Sequence, residues 1–224
     1  NNIVSASMDD SIRVTPLDGE FGPSAGVDSP AKDISAGPGN LSVAVSMKSV
    51  YLFQGTTVKS RVEVGYSPQC VAVSIDGSFA AVGGGDDFKV HIYSLAGDAL
   101  KEIKVLDRHT RQVTTVAFSP DGKLLASGDQ KNEIIVWNIK DWSIEEQGWC
   151  FHTGSVKSLA FSPNNQRLVS GSLDQSIFVW NLADRKNRIR IPNAHRGGVN
   201  VVTWLDDNTV ASTGQDCTWK TWNV

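Results

Sequence analysis

HTGSVKSLAFSPNNQRLVSGSLDQSIFVWNL, residues 152 to 182, holds three short runs rich in β-branched and aromatic residues, split by the turn clusters SPNN and SLDQS. The same register recurs as HTRQVTTVAFSPDGKLLASGDQKNEIIVWNI from His109 and as HRGGVNVVTWLDDNTVASTGQDCTWKTWNV from His195. The histidines stand 43 and 43 residues apart, and Trp137, Trp180 and Trp222 stand 43 and 42 apart. Extending the register backwards puts Tyr93, Phe53 and Thr15 at the tryptophan position, with spacings of 44, 40 and 38. SASMDDSIRVTPL, residues 5 to 17, then matches SGSLDQSIFVWNL at 170 to 182, pairing Ser5 with Ser170, Asp9 with Asp174, Val14 with Val179 and Leu17 with Leu182. Six units result, at approximately 1–27, 28–64, 65–106, 107–150, 151–192 and 193–224.

VTTVAF, KLLASG and EIIVWN alternate as strands do, and no window has the spacing of a long amphipathic helix. Each unit reads as strand, turn, strand, tight hairpin, strand, then a looser fourth strand such as SIEEQGWC or NRIRIP. Four antiparallel strands at this period fit a β-propeller blade of ~40 to 45 residues. The expected fold class is all-β, an incomplete β-propeller of one partial and five recognisable blades. A blade alone buries too little, so stacked neighbours must supply the core.

The chain has 224 residues, is 40% hydrophobic and carries a net charge of -3. That balance gives no general attraction for nucleic acid or an anionic membrane, so neither is expected as the main partner. Cys70, Cys150 and Cys217 are an odd set with no CxxC, which points to free thiols in a reducing, cytoplasmic compartment. No apolar run reaches a spanning length, and NNIVSASMDD lacks the features of a signal peptide.

His152, Ser170, Asp174 and the VWN of residues 179 to 181 resemble a WD40 repeat, with WN for the eponymous WD. More narrowly, three segments are similar to the carboxy-terminal propeller of the actin-interacting protein 1 family: GGGDDFKVHIYSLAGDALKE at 83 to 102, FSPNNQRLVSGSLDQSIFVWNLADRKNRIRI at 161 to 191, and NAHRGGVNVVTWLDDNTVAST at 193 to 213. AHR followed by TWLDDNTVAS, where the usual FSPDG turn would stand, is the most specific of these features. The resemblance implies two consecutive seven-bladed propellers, no chemistry, and partnership with actin and cofilin in disassembling or capping filaments of the actin cytoskeleton.

Ser170, His152 and Asp174 are also the residue types of a hydrolase triad. The trio recurs as Ser212, His195 and Asp216, each time with a tryptophan, Trp180 or Trp222, and no GxSxG elbow is present. The WD40 resemblance implies a structural hydrogen-bonded chain of these four side chains. His109, Ser127 and Trp137 form the same set in the fourth unit, where Lys131 replaces the hairpin aspartate. In the third unit Gly83 takes the place of Ser170 and Asp87 that of Asp174, and the unit ending at Phe53 retains almost none of the four. Those three units are expected to be less rigid.

No metal or cofactor is expected. The three repeat histidines fall on a ring around the propeller axis, too far apart to share an ion. His91 stands where its sister strands carry Ile135, Phe178 and Lys220, and is assigned no role. GGGDD at 83 to 87 lacks the lysine and helix of a phosphate loop. The basic run DRKNRIRI, 184 to 191, alternates Arg188 and Arg190 with Ile189 and Ile191, as a solvated edge strand would, with an acidic protein partner as the alternative.

A propeller of this class docks partners on its narrow face. By register that face presents Gln112 and Thr114, Ser155 and Lys157, Gly198 and Asn200, then Asp86, Gln130, Leu173 and Gln215. An actin-directed interaction module is the first functional expectation, a WD40 adaptor such as a ubiquitin-ligase substrate receptor the second, and an enzyme a distant third. Residues 5 to 17 read as the second and third strands of a blade with no first strand, and TWKTWNV stops after a third strand. Residues 1 to 224 are therefore expected to be part of a larger propeller with unpaired edges.

Overall fold

The structure, a computed structural model, describes residues 2–16, 22–184 and 186–224. Leu17 of the opening match and Arg185 of the basic run lie outside the described residues. The chain divides into two compact units, residues 1–108 and 109–224, each built from three antiparallel sheets.

In the first unit, β1 (Asn2–Ala6), β2 (Ser11–Pro16) and β3 (Ser24–Gly26) form one three-stranded sheet. β4 (Asp33–Ala36), β5 (Leu41–Val45), β6 (Ser49–Gln54) and β7 (Thr57–Glu63) form the next. β8 (Pro68–Val73), β9 (Phe79–Gly84), β10 (Val90–Ser94) and β11 (Lys101–Leu106) form the third. In the second unit, β12 (Val113–Phe118), β13 (Leu124–Asp129), β14 (Ile134–Asn138) and β15 (Ile144–Glu146) precede β16 (Val156–Phe161), β17 (Arg167–Ser172), β18 (Ile177–Asn181) and β19 (Arg188–Ile191). β20 (Val199–Asp206), β21 (Thr209–Gly214) and β22 (Trp219–Asn223) complete it.

Every sheet is a simple meander, so the all-β class and the blade as repeating element both hold. In register, β1 occupies the second-strand position and β22 the third, which leaves three strands in the first and last sheets. Among the described residues no helix is long and apolar enough to cross a membrane.

The turn between first and second strands explains the repeated Ser-x-Asp-Gly. Ser119 Oγ donates to Asp121 at 2.7 Å and accepts the Leu124 N–H at 2.9 Å, closing the loop on itself. The following position needs a left-handed backbone. Gly122 supplies it at φ 69°, and Asn165, one of the few other residues that tolerate it, supplies it at φ 59°.

Neighbouring sheets meet through side chains. Val43, Val45, Val50 and Leu52 pack with Val71, Ala80 and Val82 in the first unit. In the second, Val169, Ile177 and Val179 pack with Val199, Val202 and Val210. Trp219 shows what this contact does by lacking it. It is 72% exposed, while its register mates Ile134 and Ile177, which the next sheet of the same unit covers, are fully buried.

Adjacent first strands do not share a backbone ladder, so polar side chains span the gap. Asp33 accepts the Val71 N–H at 2.8 Å, and Ser35 accepts that of Val73 at 3.0 Å. Burial pushes the Asp33 carboxyl above its ordinary range, against the pull of the Val71 and Ile34 N–H groups. Ser158 Oγ plays the part of a missing strand, accepting the Val202 N–H at 3.1 Å and donating to the Val202 carbonyl at 3.3 Å. Trp204 Nε1 donates to the Ala160 carbonyl at 3.0 Å.

Ser158→Ala leaves both Val202 backbone groups without that partner in a buried position, so it should cost about 1–3 kcal/mol, read as a lower urea midpoint with an unchanged slope.

Candidate functional site

Within the fifth sheet, the loop before β16 brings His152 over the hairpin that joins β17 to β18. Trp180 Nε1 can only donate, and it donates to Ser170 Oγ at 2.8 Å. The Ser170 hydroxyl proton must then point elsewhere, to His152 Nε2 at 2.8 Å. That assigns the other ring nitrogen as the donor, and Nδ1–H meets Asp174 at 2.9 Å. The Thr153 N–H, at 2.8 Å, and the Ser176 hydroxyl, at 2.6 Å, also donate to Asp174. Burial would raise this carboxyl, but the hydrogen bonds from His152, Ser176 and the Thr153 N–H outweigh it and hold it well below the usual carboxylate range.

The sixth sheet repeats the chain through Trp222, Ser212, His195 and Asp216, at 2.8, 2.7 and 2.8 Å. Here Arg196 N–H and the Thr218 hydroxyl supply the additional donors to Asp216. Ser170 and His152 are sealed, at 0% and 1% exposure, and the serine oxygen already takes the indole N–H. The trio has the atom order of a hydrolase triad but offers no face to a substrate.

The fourth sheet corrects the reading of Lys131. Trp137, Ser127 and His109 join at 2.8 and 2.7 Å, and the chain ends on Asp129 instead, 3.3 Å from His109 Nδ1. Asp129 is the last residue of β13, in line with Ser172 of the sister strand, two positions ahead of where the repeat puts an aspartate. Its other oxygen accepts the Lys131 and Glu133 N–H groups, each at 2.9 Å. A fully buried carboxylate thus closes a unit that the repeat pattern marks as open.

The third sheet needs two corrections. Strand pairing sets Val82, not Gly83, at the Ser170 position, because His91 faces Val82 as Phe178 faces Ser170. His91 is also far from idle: it is buried, lies 2.8 Å from Asp87 and 3.2 Å from Glu102, and stacks on Tyr66 at 3.6 Å between centroids. The hairpin is one residue longer than in the fifth sheet, and the work of Asp174 is divided. Asp86 accepts the Ser67 N–H at 2.8 Å, while Asp87 meets the histidine. Tyr66 and Tyr93 share a hydroxyl contact of 2.8 Å, with burial pushing Tyr93 up to about 12.

The second sheet has none of the four side chains but builds the same link in reverse. Asp28, from the segment before β4, accepts from Ser46 and Ser49 beside the hairpin at 3.0 and 2.9 Å, and from Arg61. Its own N–H donates to the Tyr51 hydroxyl at 2.9 Å. Burial would raise the Asp28 carboxyl, yet hydrogen bonds from Tyr51, Ser49 and Ser46 and the Arg61 charge bring it to about 2.

Each repeat histidine lies in its own sheet with its own acid. Among the described residues one set of metal-ligand types, His109, Asp129 and Glu133, has donor atoms within 4.8 Å of one another. A cation there would have to displace the hydrogen bond from His109 to Asp129.

The candidate docking positions divide in the structure. Gln130, Lys157, Leu173, Asn200, Gln215 and Asp86 are exposed, Gln112 and Ser155 are half-buried, and Gly198 is buried. Thr114 is committed elsewhere: its hydroxyl lies against the carbonyls of Gly128 and Val156, linking β12 to the next sheet, which corrects its reading as a free contact.

Depressed carboxyls contribute their full stability above the unfolded range and lose it progressively as pH falls from that range towards the lowered folded one. Asp174→Asn should therefore cost about 1.5–3 kcal/mol at neutral pH, and the gap to the parent should narrow as denaturant titrations are moved below about pH 4. Asp129→Asn should cost a comparable amount, and adding Lys131→Asp to it should restore none of the thermal midpoint.

A family model described as "WD domain, G-beta repeat" matches residues 100–138, 147–181 and 186–223. Over the whole chain the sequence is 44% identical to the "66 kDa stress protein" of Physarum polycephalum and 36% to "Actin-interacting protein 1" of Caenorhabditis elegans. It is 32% identical over the whole chain to "WD repeat-containing protein 1" of Gallus gallus. The chain spans 38%, 38% and 37% of the lengths of these three relatives.

Proposed function

Because the chain belongs to the WD40 repeat family, we propose that it is a non-catalytic docking module of a larger protein that acts on actin filaments. The observation that carries this reading is similarity along the entire chain, first strand to last, to a relative named for interacting with actin. A match confined to the repeat motif would support only a generic propeller. The burial of Ser170 and His152, of Ser212 and His195, and of Ser127 and His109 supports the non-catalytic part, since each constellation with the look of a nucleophile is closed by the scaffold that it stabilises.

In its finer form the proposal is that the full-length protein works with cofilin, disassembling filaments or capping the ends that severing creates, in the cytoplasm. The exposed polar positions Gln130, Lys157, Asn200 and Gln215, with Leu173 among them, suit contact with a protein surface better than a deep ligand pocket.

Co-sedimentation of the full-length protein with filamentous actin, with and without cofilin, tests this. Actin should shift from pellet to supernatant only when both proteins are present. Pelleting unchanged by the protein under either condition would overturn the actin reading, and recovery of ubiquitin-ligase subunits without actin in an affinity pull-down would replace it with the adaptor.

A further inference from the structure

The fifth sheet ends in an outer strand whose chemistry no hydrogen-bonded chain absorbs. Along β19, Arg188 and Arg190 point to one side, and with Lys186 they line an open cavity of about 390 Å³ whose floor is Phe151 and Phe178. Arg188 lies 3.7 Å above the Phe151 ring, and Arg190 is 5.8 Å from that of Phe178. Phe151 is 46% exposed. None of the ion pairs among the described residues involves Lys186, Arg188 or Arg190. Asp184, the nearest acid in sequence, is exposed and accepts the Lys186 N–H at 3.0 Å. The outer strand β7 differs: its Lys59 and Arg61 are paired with Asp98 and Asp28.

Two further observations narrow the ligand. β19 pairs with β18 alone, so among the described residues no strand occupies its other edge. Ile189, between the two arginines, faces the opposite side and is 42% exposed. A strand edge with free backbone groups, cations at alternate positions and an apolar residue between them is complementary to one kind of chain: extended, acidic at every second residue and apolar in between.

The geometry points to β19 as a docking edge for such a segment of a protein partner, which would add a fifth strand to the sheet. Side chains two apart on either strand repeat at about 6.5 Å, so successive carboxylates would meet Arg188 and Arg190 in turn. Each guanidinium can take a carboxylate through two parallel hydrogen bonds. A membrane or a nucleic acid fits less well, because the cations form a single narrow row on a chain of net charge -3. The proposal rests on this strand's own chemistry and is independent of the actin reading.

The test is fluorescence anisotropy with the intact protein and labelled synthetic peptides. The probes are Glu-Val-Glu-Val-Glu, its block isomer Glu-Glu-Glu-Val-Val, and the alternating peptide N-methylated on its hydrogen-bonding amides. The alternating peptide should bind at least about tenfold tighter than either, and Arg188→Glu with Arg190→Glu should remove the difference while leaving the melting temperature near that of the parent. Lys186→Glu, outside the strand, should weaken binding without altering the preference for alternation. Equal affinity for the two isomers, or insensitivity to N-methylation, would overturn edge pairing. Binding of phosphoinositide vesicles in preference to every peptide would overturn the choice of partner.

Discussion

A single indole N–H directs the polar interior of each closed blade. Once Trp180 donates to Ser170, the serine proton has one useful direction left; this sets the histidine tautomer, and the tautomer presents a donor to Asp174. Each link is worth about 0.5–1.5 kcal/mol net. Because the links share atoms, removing one disorients the next, and the loop before the first strand loses its hold on the hairpin between the second and third.

The sheets that lack this chain keep the connection and change the atoms. Asp129 reaches the histidine from the end of a strand, Asp86 and Asp87 divide one carboxylate's work, and Asp28 sends the acid from the loop to hydroxyls beside the hairpin. What persists is the pairing of a carboxyl group with donors across the same gap, together with the lateral bonds of Asp33 and Ser158 that span sheets too far apart to share a ladder. The constraint is geometric: a meander leaves its entry loop free unless something ties it down.

Strand order, turn chemistry and the two full chains were legible in the sequence, because a period of 43 residues repeats them side by side. The substitutes were not. Asp129 is displaced by two positions from its register mates, and one extra hairpin residue moves Gly83 out of line with Ser170; a pattern that compares columns cannot see a carboxylate arriving from a different column. His91 stands in a column that varies, and its partners Glu102 and Tyr66 come from a neighbouring strand and from the entry loop, where its own repeat gives no sign of them. The commitment of Thr114 is equally invisible, because a hydroxyl bonded to the next sheet's backbone leaves no trace in its own repeat. The row of unpaired arginines was readable as a solvated edge, but the aromatic floor beneath it was not, since Phe151 precedes the strand by 37 residues.

The placement of Asp129 has an evolutionary side. In the fifth and sixth sheets the hairpin tip and the clamp are the same residue, so any drift at Asp174 or Asp216 opens the blade. In the fourth, the clamp has withdrawn into the strand and holds the tip only by its backbone N–H groups, which leaves the side chains of Gln130 and Lys131 without structural duty. That tip can change its chemical character at little cost to the fold, so its surface is freer to vary than the tips of the fifth and sixth sheets.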